Sequence, residues 1–348
     1  MSENQAELSL RKKEHLTICE DDSAAFKTVA TGFDNYTFLH DATTEVIIQN
    51  LNLESNFFGS TVAYPFLISC MTGGTDEANN INLQLAEVAN SLNIPLGLGS
   101  MRYALESRDY DIHLKGIKKS AGISPIMTNI GAAQLCEGRD VSQFQRLIDL
   151  VEASVFIIHL NALQELVQKG GEPSFPGLMQ SIEFLAKSLS VPIIVKEVGS
   201  GISKQAAKRL LEAGVKGIDV AGAGGTSWSA VEIIRNRDDK NNEFWDWGLP
   251  TSYCLKTVNE LKEFYKFTLI SSGGVNTPHD AAVSYALGAN FTGSARKVLQ
   301  ALNASGEEGV ISFITQFIEY LKKVLFLTGS ASLAQLQVGK LIRKEELI

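Results

Sequence analysis

At 348 residues, with 45% hydrophobic and 20% charged side chains, the chain has the composition of a globular protein large enough for one barrel or two ordinary domains, which excludes disordered and fibrous classes. A formal charge of −8 repels nucleic acid and anionic lipid on average, so neither is an expected partner and any anionic ligand must be caught by local donors. Cys19, Cys70, Cys136 and Cys254 form no CxxC pair, the polar start carries no apolar signal segment, and no apolar run approaches the ~20 residues a membrane helix needs. A soluble, cytoplasmic protein is expected.

In chain order, residues 1–64 read as an extension, with a helix around 23–28 and a short strand pair near 45–53. Its leader holds Arg11, Lys12 and His15, a basic patch in acidic surroundings. Such a patch is either a solvated charge run on a loose terminus or an anion clamp that folds over a diphosphate. From Pro65 to the end at 348, apolar runs alternate with helical periodicity. Strands are expected at 65–72, 95–100, 125–131, 155–162, 192–199, 217–222, 268–274 and 289–295, with helices such as 142–153 and 203–213 between them. Strand–helix alternation predicts a parallel sheet, and eight strands close a barrel. The expected fold is a single (β/α)8 TIM barrel with an N-terminal extension and a C-terminal helix. A charged, Trp-rich insertion at 226–250 is long enough for an active-site loop or an oligomer contact, and 307–327 is an amphipathic helix beyond the eighth unit.

Many strands finish in small residues: MTGG at 71–74, GLGS at 97–100, TNIG at 128–131, EVGSG at 197–201, GAGG at 222–225, SSGG at 271–274 and GSA at 293–295. Any one glycine can serve only a tight turn. Seven such ends on one rim point to a ligand site, because barrel enzymes work from that face. The loops after strands seven and eight are where many barrels hold phosphate on backbone N–H groups and a helix N-terminus, and no GxGxxG opens a helix after a strand to suggest a dinucleotide fold.

In PIIVKEVG, alternation puts Lys196 on one face and Glu197 on the other, so one charge points inward. A lysine in the mouth would stabilise a developing anion or form a Schiff base; otherwise it turns outward at the strand end. In HLNALQE, His159 and Asn161 share a face and Gln164 and Glu165 follow, supplying a proton-handling or donor group, two amides and a carboxylate able to hold Mg²⁺. Singly, a His or a Glu at a strand end is more often structural.

Taken together these segments, with RKKEH at 11–15, FLHDATTEV at 38–46, PFLISCMTGG at 65–74 and GGTSW at 224–228, resemble the type 2 isopentenyl-diphosphate delta-isomerases over nearly the whole chain. The resemblance implies reversible interconversion of isopentenyl and dimethylallyl diphosphate with reduced FMN and Mg²⁺. NADPH would serve only to reduce the flavin, and the protein would be a homo-oligomer, tetramer or octamer. It implies that Arg11 and Lys12 grip the diphosphate, that Gln164 stands by the carbon skeleton, and that His159 and Asn161 belong to the substrate pocket. Glu165 would bind the metal. Met71, Thr72, Gly73, Ser100, Asn129, Lys196 and Thr226 would line the flavin, with Gly274, Val275, Asn276, Ala295 and Arg296 at its phosphate. The chain departs from the family pattern at Ala221 (usually Ser), Asn276 (commonly Arg), Met101 (usually Gln) and Thr43-Thr44 (usually Leu-Pro), which puts details of cofactor affinity in doubt. The competing expectation is an FMN-dependent 2-hydroxy acid oxidase, which needs a histidine beside arginines that grip a carboxylate; here only Arg102 and Arg296 are near the rim.

Overall fold

The architecture is that of a computed structural model describing residues 3–138, 140–237 and 239–347. Its centre is a closed, all-parallel barrel of eight strands: β1 (Phe66–Ile68), β2 (Leu96–Gly97), β3 (Ile126–Gly131), β4 (Val155–Leu160), β5 (Ile193–Glu197), β6 (Gly217–Asp219), β7 (Thr268–Ser271) and β8 (Phe291–Ser294). Each strand lies inside the span expected from the sequence. Strand β8 pairs with β1 from Thr292 and Phe66 to Ser294 and Ile68, and this closes the ring.

The prolines explain where several strands begin. Pro65, Pro95, Pro125 and Pro192 each precede a strand by one residue, where the missing N–H costs no ladder bond. Their carbonyls still take part: Pro65 accepts from Thr292 N at 3.0 Å, Pro95 from Ile68 N at 3.0 Å, Pro125 from Leu96 N at 2.9 Å and Pro192 from Phe156 N at 3.0 Å.

Outer strand residues such as Val195, Ile158 and Ile218 pack under the surrounding helices, whereas Leu67, Met127, Ile157, Ile194, Ile270 and Phe291 fill the barrel's interior. A hairpin, Ser55–Phe57 with Ser60–Val62, pushes Phe57 and Val62 into that same interior cluster from the N-terminal end. The hairpin corrects the strand pair expected near 45–53, where the chain instead makes a 3-10 turn at Ile48–Asn50. Its turn residues Phe58 and Gly59 have φ of 48° and 96°. A two-residue turn with positive φ at both positions suits a hairpin's twist, but Phe does not announce it as Asn would.

The expected helix around 23–28 is absent. That stretch is tied instead to the loop after β6, with Phe26 N on Gly225 O at 3.3 Å and Ser227 N on Ala24 O at 2.8 Å, while Asp246 accepts from Lys27 N and Thr28 N. Long-range partners override the local propensity. Tyr36–Phe38 pairs antiparallel with Leu341–Arg343, so the extension and the tail are stitched together.

The leader is not a loose, solvated run. It forms helix α1 (Glu3–Ile18) against the C-terminal face of the barrel. Three further helices bear on the site: α2 (Ala162–Val167), α3 (Trp228–Asn236) inside the 226–250 insertion, and α4 (Arg296–Leu327). The last begins earlier than the amphipathic stretch at 307–327 and is broken where Ser305 and Gly306 leave helical geometry. Among the described residues no helix is long and apolar enough to cross a membrane.

Candidate active site

One cavity opens at the C-terminal mouth, and every residue expected to hold substrate, flavin or metal lines it. Arg11 and Lys12 come from α1, and Met71, Thr72 and Gly73 follow β1. Ser100, Asn129, His159 and Asn161 lie on or after β2 to β4; Gln164 and Glu165 are on α2, Lys196 on β5, and Thr226 after β6. Gly274, Val275, Asn276, Ala295 and Arg296 follow β7 and β8. The common cause is topological: in a parallel barrel every strand delivers its last side chains to the same rim.

The register sets the floor of the mouth. His159 on β4 pairs with Lys196 on β5, and Lys196 with Asp219 on β6, so the three stand in one row. Lys196 faces the mouth and is 8% exposed, its Nζ donating to Glu197 O at 2.6 Å. Glu197 is buried on the opposite face, where it accepts from the backbone N–H groups of Val198, Gly199 and Ser200. Alternation along β5 thus separates one charge for the ligand from one for the turn. Burial raises the Asp219 carboxyl, opposed by the charge of Lys196 and by the Ser272 hydroxyl, which donates at 2.7 Å. His159 Nδ1 lies 2.8 Å from Asn129 Oδ1, and burial followed by the charge of Lys196 pushes the imidazole down to about 3. Burial and Lys196 therefore favour the neutral imidazole over the ordinary pH range.

Above the floor lies a polar hub that sequence reasoning missed. Glu232 on α3 is fully buried, yet its carboxylate meets His15 Nε2 at 2.8 Å, Arg235 Nε at 2.8 Å and Gln164 Nε2 at 3.2 Å. Gln168, its amide turned to satisfy both neighbours, donates to Glu232 at 3.1 Å and accepts from Arg11 Nη1 at 2.9 Å. Burial alone would raise the Glu232 carboxyl, but the bonds and charges of His15 and Arg235, with Gln164, hold it below the ordinary range. The hub ties α1, α2 and α3 together and fixes the Gln164 amide over the mouth. The 226–250 insertion is therefore part of the site. The available signal was Glu232 itself, a charge set among Val231, Ile233 and Ile234.

Lys12 donates to Gly73 O and lies 4.7 Å from the Tyr103 ring centroid. Burial, with Arg11 beside it, lowers it to about 7. Glu165 accepts from Asn161 Nδ2 at 2.7 Å and from Glu172 N at 2.8 Å. Among the described residues no group of three His, Cys, Asp or Glu side chains is placed to hold a metal.

Several buried atoms in the mouth have no partner within the chain: Ser69 Oγ, Asn161 Oδ1, and Nε and Nη1 of Arg296. Buried polar groups are rarely left so, and their concentration here marks a surface shaped for a polar ligand. At the β7–β8 end the loops pack backbone against backbone, which leaves no room for a side chain. Gly274 has φ of 72°, and a Cβ on Gly225 would stand 2.5 Å from Gly274 N. The N–H of Asn276 is already given to Asp280 at 3.0 Å, so the cationic donor at this end is Arg296, the first residue of α4. Ala221, where the resembled family has Ser, takes φ of 36° at the end of β6.

Residues 159–343 match the family described as FMN-dependent dehydrogenase, and that match puts the barrel in the flavin mononucleotide class. A lactate oxidase of Pediococcus acidilactici superposes with a TM-score of 0.69 at 15% identity, covering 97% of this chain and 94% of that one. A flavocytochrome b2 variant with sulfite bound superposes with a TM-score of 0.71 at 17% identity over 95% of this chain and 83% of the other. At these identities the likeness is one of fold. The isopentenyl-diphosphate delta-isomerase of Chlorobium phaeobacteroides is 40% identical over 96% of this chain and 95% of its own length, and that of Stutzerimonas stutzeri is 42% identical over 96% of each. The chain belongs to the isopentenyl-diphosphate delta-isomerase family.

Proposed function

We propose that this enzyme interconverts isopentenyl and dimethylallyl diphosphate in isoprenoid synthesis, with reduced FMN on the barrel mouth, Mg²⁺ at Glu165 and NADPH as the flavin's reductant. Moving a double bond requires a proton added at one carbon and another removed from a second, with no net redox change. The observation that carries the reading is the Gln164–Glu232 pair, a neutral amide fixed by a buried carboxylate and roofed by the cationic residues of α1. Arg11 and Lys12 suit a diphosphate, whose oxygens accept from both. Asn161, with its free Oδ1, and neutral His159 orient the ligand between Gln164 and the floor.

The unpartnered atoms of Ser69 and Arg296, the cavity-lining Gly274 and the buried Lys196 fit a flavin with its phosphate at the β7–β8 pole. When bound and reduced, FMN would supply a nitrogen that can give or take a proton beside the alkene. Lys196 would hold the flavin from the floor of the mouth and supply a positive charge to it. Glu165 alone offers a single carboxylate, which suits Mg²⁺ when diphosphate oxygens and water complete the shell. The family resemblance supports the NADPH requirement, a cytoplasmic setting and a tetrameric or octameric homo-oligomer.

The hydroxy acid oxidase reading fits less well. His159, pushed down to about 3, is a poor base for a hydroxyl proton, and Arg102 is engaged with Glu106 and Glu172. The test is anaerobic turnover of isopentenyl diphosphate by the yellow protein after dithionite reduction, with Mg²⁺. Activity that disappears in Gln164→Ala, and that needs more Mg²⁺ in Glu165→Ala, supports the reading. Inert protein, or steady flavin reduction by lactate or glycolate, overturns it.

A further inference from the structure

We propose that Asp22 and Arg296 link the cofactor's phosphate to helix α1, so that flavin loading seats the helix and prepares the mouth for the diphosphate. The inference rests on the flavin reading above. Arg296 begins α4 at the phosphate pole, and its side chain is 9% exposed. One guanidinium nitrogen, Nη2, reaches Asp22 Oδ1 at 3.2 Å, whereas Nε and Nη1 are buried with nothing to donate to. A buried, half-satisfied guanidinium is unfavourable, and without an anion its simplest relief is to swing toward water. A phosphate that accepts from the idle nitrogens removes that incentive and holds the side chain where Asp22 can bond to it.

Asp22 stands four residues beyond the end of α1, and its carboxylate is also 3.7 Å from Lys297 Nζ. Two residues earlier, Glu20 O accepts from Gln300 Nε2 at 3.1 Å. The turn that follows α1 is thus pinned to the first turns of α4, while Arg11 and Lys12 near the middle of α1 face the substrate side of the same cavity. The two anion sites share one lever. Cofactor phosphate fixes its base and the substrate's diphosphate engages its arm, which makes flavin binding the first step of an ordered sequence.

The experiment compares flavin-free protein, protein saturated with FMN and protein saturated with riboflavin, which has the same ring but no phosphate. Amide hydrogen exchange is followed over 10–18, and tryptic cleavage at 11–13. FMN should slow both by about fivefold or more, the scale of an ion pair of this kind, and riboflavin should not. In Asp22→Asn, FMN should still bind by fluorescence quenching but protect α1 no better than riboflavin does in the unmodified chain. Equal protection by riboflavin, or full FMN protection in Asp22→Asn, overturns the link. Failure of any flavin to bind is read directly from absorbance and overturns the flavin reading itself.

Discussion

Lys12 makes the affinity for diphosphates depend on pH in a direction that can be worked out. Burial first, and the neighbouring Arg11 second, lower its pKa from 10.5 to about 7 in the free protein. A bound diphosphate restores the charge, so above pH 7 binding must bring a proton with it. At pH 9 about 1% of the free protein carries that proton, which weakens binding by about 2.7 kcal/mol, or ~100-fold, relative to a Lys12 already charged. The ligand-free fold has the opposite preference. Lys12 is neutral in both folded and unfolded states above 10.5, and its charge is a growing penalty as pH falls, complete below about 7. Calorimetric titration of inorganic pyrophosphate into flavin-loaded protein and into Lys12→Gln, from pH 6 to 9.5 in two buffers of different protonation heat, separates this effect from the ligand's own ionisation. The unmodified protein should lose up to ~100-fold of its advantage over the variant between pH 6 and 9, with about one extra proton taken up per site at pH 9. An advantage that stays constant across that range would mean Lys12 is charged throughout, and the burial argument would fail.

Glu232→Leu should destabilise the folded protein by about 3–5 kcal/mol in urea titrations, because it strands Arg235 and His15 in the interior, whereas Glu232→Gln should keep most of the stability and lose turnover. Gly274→Ala should weaken flavin retention in a fluorescence titration and destabilise by at least ~1–3 kcal/mol, since the residue has φ of 72° and a Cβ would stand 2.4 Å from Thr31 Cγ2. With His159 down at about 3, the pH profile of kcat/KM between 5 and 8 should have the same shape in the unmodified protein and in His159→Gln. An ionisation near pH 6 to 7 that vanishes in the variant would contradict the neutral imidazole.

The barrel was readable because its signals are local. Each strand is a short apolar run, four of them start after a proline, and the small residues at their ends need no partner to be recognised. Once the strands are parallel, the rim collects Asn129, His159, Lys196 and Arg296 as a matter of geometry. The extension was not readable in this way. Residues 23–28 look helical in isolation but spend their backbone donors and acceptors on Gly225, Ser227 and Asp246, more than 200 positions away in several cases. Arg11, Lys12 and His15 look like a solvated patch until Glu232 is seen beneath them. Glu232 itself, three residues before Arg235, has the spacing of an ordinary surface ion pair.

The hairpin that drives Phe57 and Val62 into the bottom of the barrel fills that end with apolar side chains, while the cavity lies at the opposite, C-terminal end. Substrate and product meet the protein at that one end. Helix α1 contributes Arg11, Lys12, His15 and Leu16 to the wall of that opening, so a substitution on this face should alter the forward and reverse directions alike, without touching the chemistry at the floor.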